Sequence, residues 1–168
     1  FNNPTVYPLA SNIYIGVGYE GSMADIPRTL KFPIDSFEIN GEPIKHLQMT
    51  HYAYEPEFAP KGHTAITFAI NQFRSDWEAW NQLAKDPEAY RKEKARIGAE
   101  ILRGMETRFP HMKGKLKLLD IATPKTYERY CNAYHGAFMS FMITTGGKML
   151  NHTGKIKGLN NIFLSGQW

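Results

Sequence analysis

The chain has 168 residues, of which 42% are hydrophobic and 21% charged, and a formal net charge of +4 at pH 7. That length suffices to bury a substantial core, and the composition excludes a disordered or fibrous protein. The basic residues are interleaved with Asp and Glu, and the densest basic stretch, Lys113, Lys115 and Lys117, is short, so no nucleic-acid partner is expected.

One cysteine, Cys131, excludes an internal disulfide and a zinc site built on paired cysteines, which points to the cytoplasm. No apolar run approaches the roughly 20 residues that span a bilayer, and Phe1-Asn2-Asn3-Pro4 lacks the basic start of a signal peptide. A soluble, cytoplasmic chain is expected, with peripheral contact at a membrane surface left open. Ten Phe, nine Tyr and three Trp fit either a large core or an apolar cavity lined by rings.

From Asn12 to Gly18, Ile13, Ile15 and Val17 alternate with Tyr14 and Gly16, the period of a half-buried strand. Gly21 to Pro27 breaks the pattern. A second extended segment covers Thr29 to Phe37, where Pro33 implies an edge or a bulge. Asn40-Gly41 reads as a hairpin turn because Gly tolerates positive φ. His46–Tyr54 and Thr64–Asn71, rich in β-branched and aromatic residues, form a second hairpin across Pro56, Pro60 and Gly62. Successive strands without intervening helices predict antiparallel pairing rather than a doubly wound nucleotide fold.

Ser75-Asp76-Trp77-Glu78 has the form of a capping box opening a short helix to about Lys85. Asp86-Pro87 supplies a second N-cap with proline at the first helical position. Tyr90, Lys94, Ile97, Ile101, Met105 and Phe109 then recur at three- and four-residue intervals on one face of a long helix that Pro110 stops. Gly98 and Gly104 mark close packing against that face. Lys115–Ile121 reads as a strand, Lys125–Tyr130 as a helical turn, and Asn161–Leu164 as a short strand leading into Ser165-Gly166-Gln167-Trp168. The fold class is therefore α+β: a mainly antiparallel sheet with a long central helix packed on it.

Searches for catalytic patterns are mostly negative. Gly146-Gly147, Gly16 and Gly18 lack the spacing and following helix of a phosphate-binding loop. The histidines at 46, 51, 63, 111, 135 and 152 form no helical pair, so no metal site is expected; His51 and His63 meet at most across a hairpin. Cys131 and His135 stand at helical spacing for a nucleophile pair, but with no third member a buried thiol beside a structural histidine is the plainer reading. Glu128 and Arg129 read as a local surface ion pair. The run Ala137–Met142 fits core, or alternatively the lining of an apolar cavity.

Two stretches carry a family resemblance: Ala122-Thr123-Pro124-Lys125-Thr126-Tyr127-Glu128-Arg129-Tyr130 ahead of Gly136, and Gly158-Leu159-Asn160-Asn161-Ile162-Phe163-Leu164-Ser165-Gly166-Gln167-Trp168. In order and spacing they resemble the C-terminal half of the phytoene desaturase and carotenoid isomerase family of FAD-dependent oxidoreductases, within the flavin amine oxidase superfamily. Tyr54-Glu55-Pro56 to Ala59-Pro60-Lys61-Gly62 and Arg108-Phe109-Pro110 extend the resemblance upstream. Ser165 departs from the family's usual alanine.

The resemblance implies that residues 1–160 are a substrate-binding domain and that 161–168 begin a strand returning to an FAD-binding domain that the chain lacks. It implies cofactor-binding roles for Ser165, Gly166 and Gln167, with Gly166 letting the backbone approach the cofactor. It implies that Tyr127, Tyr130, Phe138, Phe141 and Met142 line an apolar, polyene-like substrate, with no catalytic residue in this portion because the flavin carries the hydride chemistry. FAD is expected in the whole protein and not on this part alone. The alternatives are a stand-alone apolar-ligand-binding or protein-interaction module on the same scaffold, and a hydrolase built on Cys131 and His135.

Overall fold

The computed structural model describes residues 11–137, 154–155 and 158–163, apart from the side chain of Arg74. Its frame is an antiparallel sheet of five strands: β1 (Ser11–Glu20), β2 (Thr29–Ile39), β3 (Glu42–His51), β4 (His63–Gln72) and β5 (Leu116–Ala122). Their order is β2-β3-β4-β1-β5, so the first strand lies between the fourth and the last. The α+β architecture is as the sequence predicts.

The alternation in β1 decides which face is buried. Ile13, Ile15 and Val17 are fully buried and pair with Ile70, Phe68 and Ile66 of β4. Phe32 of β2 and Leu47 and Met49 of β3 continue the same apolar layer. Burying each such side chain stabilises the fold by roughly 1.5–3 kcal/mol.

Turn chemistry sets the registers. Asn40 and Gly41 adopt φ of 52° and 82°, the paired positive values of a tight hairpin turn between β2 and β3. At Pro33 the β2–β3 register shifts before Phe37, which places the proline at an irregularity of an edge strand, where its missing N–H costs no ladder bond. A second shift lies between β1 and β5: Gly16 pairs with Asp120 and Val17 with Leu118, leaving Leu119 as the extra residue of a bulge.

Helices α1 (Arg74–Leu83) and α2 (Pro87–Arg108) pack on the buried face. The Asp86 carboxylate caps α2 by accepting from the backbone N–H groups of Glu88 (2.9 Å) and Ala89 (3.1 Å). Ile97, Ile101 and Met105 of α2 are fully buried. Gly98 and Gly104 bring the helix backbone against Leu118 of β5 and Ile34 of β2, as their places on the apolar face predict.

The start of α1 differs from the expected Ser75–Glu78 box. Phe73 is the N-cap, and its backbone N–H donates to the buried Asp76 carboxylate at 2.6 Å. Asp76 also accepts from Asn40 Nδ2 at 3.3 Å, so the β2–β3 turn holds that carboxylate, and the N-cap lies two residues earlier than Ser75.

The last helix, α3 (Pro124–Cys131), opens at Thr123, whose backbone N–H donates to Thr126 Oγ1 at 3.0 Å. A 3-10 turn, Tyr134–Gly136, follows it. The expected strand at Asn161–Leu164 is not formed among the described residues: Phe163 makes a single bridge to Lys155, and Asn161 adopts φ of 65°, which extended backbone does not allow. Leu164 lies outside the described residues. Among the described residues no helix is long and apolar enough to cross a membrane.

Candidate functional site

Alternation that buries one face of the sheet leaves the other to present Tyr14, Gly16 and Gly18 from β1 and Ala65, Thr67 and Ala69 from β4. No side chain rises from Gly16 or Gly18, so β1 forms the floor of a trench beside Leu119. Leu119 is 59% exposed because the bulge turns it onto this face, and a Cβ at Gly18 would lie 3.6 Å from its Cδ2. Phe58, 61% exposed, borders the same hollow and stacks on Tyr52 with ring centroids 4.8 Å apart. The hollow holds about 430 Å³.

A line of hydroxyls runs from this hollow toward α3. Tyr52 Oη lies 3.4 Å from Thr67 Oγ1, and Thr67 donates to the Thr50 carbonyl at 3.4 Å. The Thr67 hydroxyl lowers the pKa of Tyr14, but burial and the neighbouring Tyr52 phenol outweigh it, and the net direction is upward. Tyr127 of α3 is pushed up to about 12, chiefly by burial and further by Tyr14 and Cys131 nearby. Tyr14 and Tyr127 are therefore neutral hydrogen-bonding groups at physiological pH, suited to orienting a ligand and not to acting as bases.

Beyond the line lies a second hollow of about 390 Å³ over β2, β3 and β4, lined by Lys31, His46, Gln48, Thr50 and Asn71 among others.

Of the residues to which the resemblance assigns a substrate-lining role, Tyr127 therefore stands beside Tyr14, while Tyr130 is 73% exposed with the Arg129 guanidinium 5.1 Å over its ring. Phe138, Phe141 and Met142 lie outside the described residues, as do Ser165, Gly166 and Gln167.

Cys131 is exposed, contrary to the buried thiol expected, because it ends α3 just before Asn132 turns the chain with φ of 50°. No hydrogen bond joins it to His135 among the described residues. The His135 ring instead lies between Trp77 and Tyr134, 4.0 Å from each ring centroid. Glu128 pairs with Lys125 and not with Arg129.

His51 is buried, with Nε2 donating to the Ile26 carbonyl at 2.8 Å and Nδ1 accepting from Ala53 N–H, a structural role. His63 is exposed and faces the Lys61 carbonyl. Among the described residues no group of His, Cys, Asp and Glu is placed to hold a metal ion.

Sequence reasoning did not single out the hydroxyl line. The period-two pattern sets Tyr14 and Thr67 opposite the core, but only the β1–β4 pairing makes them neighbours. No protein-family model, no curated protein and no solved structure matches the chain.

Proposed function

We propose that this chain is the substrate-side portion of an FAD-dependent oxidoreductase acting on an apolar, polyene-like substrate, on the scaffold of a flavin amine oxidase substrate domain. The observation that carries the reading is the sheet face that the described residues leave uncovered. Its glycine floor, its exposed Leu119 and Phe58 and its line of neutral hydroxyls make a surface suited to an elongated apolar molecule. The motif residues Thr123 to Tyr130 support it, because they fold as the helix that brings Tyr127 to that face.

In this reading the flavin, held by a partner domain, supplies hydride transfer when bound. The chain's own residues bind and orient. The β1 trench lets a flat chain lie against the backbone, Leu119 and Phe58 exclude water from its flanks, and Tyr14, Tyr52 and Thr67 fix polar substituents.

The test is to purify the product of the complete reading frame that contains this sequence. The expected result is a yellow protein with one FAD per chain. A colourless product that takes up no added FAD overturns the flavin reading.

An apolar-ligand-binding module on the same scaffold is the second reading, favoured by a core that already closes across all five strands and two helices. A flavin-free product that copurifies with a long apolar ligand selects it.

A further inference from the structure

The two hollows on the uncovered face adjoin. Ala65 lines the apolar one and Thr67 the other, and these residues are same-face neighbours on β4, about 7 Å apart. Both carry cations, but only the first has a carboxylate beside them: Glu20 borders it with His63, Lys115 and Lys117. Lys31, Lys45 and His46 border the second hollow, and among the described residues no carboxylate does. The side chains of these three residues make no ion pair or hydrogen bond among the described residues.

Two of the sheet's acidic side chains are engaged from α2: Asp35 pairs with Arg103 at 3.0 Å and Asp120 with Lys94 at 3.9 Å. A hollow with cations and no carboxylate therefore continues from a trench whose floor and flanks, Gly18, Ala65, Leu119 and Phe58, are apolar and whose rim carries both charge signs.

From this arrangement we propose that the ligand of the uncovered face is an amphiphile: an apolar chain along the Gly16–Gly18 trench ending in a carboxylate at Lys31 and His46. The proposal rests on the reading of that face as a ligand wall and is independent of the flavin. A neutral hydrocarbon would strip water from Lys31 and Lys45 and return nothing. A carboxylate compensates that desolvation with charge-assisted hydrogen bonds. Thr67 and Tyr52, between the hollows, would hydrogen-bond the oxygen-bearing end of the chain.

The experiment is a titration of the 168-residue chain with dodecanoate and, separately, with dodecanol, followed by backbone amide NMR. Dodecanoate is expected to bind at least about tenfold more tightly, with shifts at β1, β3 and β4. The double variant Lys31→Ala/His46→Ala is expected to lower dodecanoate affinity about tenfold and leave dodecanol unchanged. Gly18→Val, whose added Cβ lies nearest Leu119 on the trench floor, is expected to weaken both.

Equal affinity for acid and alcohol, no binding of either, or dodecanoate binding indifferent to Lys31 and His46 each overturns the proposal. Acid-blind binding leaves the flavin reading standing with a neutral substrate. A flavin-free complete protein that still prefers the acid removes the flavin reading and leaves this one.

Discussion

Gly136 lies against the backbone of Pro124: a Cβ on residue 136 would sit 2.6 Å from the Pro124 carbonyl carbon and 2.7 Å from its Cα. The contact joins the first residue of α3 to the 3-10 turn that follows the helix. It also explains why the Thr123–Tyr130 motif is followed by a glycine, since the returning chain must pass directly over the helix start.

Replacing Gly136 with alanine is therefore expected to destabilise the protein by at least about 2 kcal/mol. Two causes add: φ is 66° at this position, and the overlap is with backbone, which cannot rotate away. Gly98→Ala is the contrast. The alanine methyl there meets the ends of the Leu118 and Ile121 side chains, which can shift, while helix propensity improves by about 1 kcal/mol. Urea unfolding should show a large loss for the first variant and a change within about 1 kcal/mol for the second.

Asp86→Ala removes the acceptor for two α2 backbone donors and is expected to cost about 1 kcal/mol, whereas Asp86→Ser should recover most of it. Thermal unfolding of the two variants side by side checks the cap.

The Tyr127 phenol gives a pH dependence of defined sign. Unfolded, it ionises near 10.0; folded, it holds its proton to about 12. Above pH 10 the unfolded state has lost more protons than the folded one, so rising pH favours unfolding. The contribution is intact below pH 10 and disappears as the pH climbs through 12. Tyr127→Phe should delete the phenol that titrates near 12 from the absorbance titration at alkaline pH and flatten stability across that window.

Cys131 is expected to react with a thiol reagent in the native protein at the rate of a free thiol, one label per chain. Cys131→Ser should leave the unfolding curve unchanged. Labelling only after denaturant is added would contradict the exposed position.

Much of the frame is readable in the residues, because local chemistry and tertiary demand coincide there. The alternation Ile13, Ile15, Val17 gives β1, Asn40-Gly41 gives the first hairpin, and Asp86-Pro87 opens α2. Gly98 and Gly104 mark close approach because they interrupt an apolar face where the helix backbone lies against Leu118 and Ile34.

What resisted reading depends on partners distant in sequence. The insertion of β1 between β4 and β5 is a pairing choice that no local pattern encodes. Asp76 caps α1 from inside the helix because Asn40 reaches it. The Tyr14–Tyr52–Thr67 line exists only once β1, β3 and β4 have found their registers. The substrate-lining and cofactor-binding roles at Phe138, Phe141, Met142, Ser165, Gly166 and Gln167 rest on the resemblance alone.

The most direct measurement of the central proposal, that this chain is the substrate-side portion of a larger flavoprotein in which substrate and the flavin-binding domain cover this sheet face, is the maleimide labelling rate of Thr67→Cys in a Cys131→Ser background. Thr67 stands on β4 in the middle of that face, between the two hollows. The account predicts rapid labelling in the 168-residue chain and labelling at least about tenfold slower in the product of the complete reading frame. Equal rates in the two proteins would contradict it.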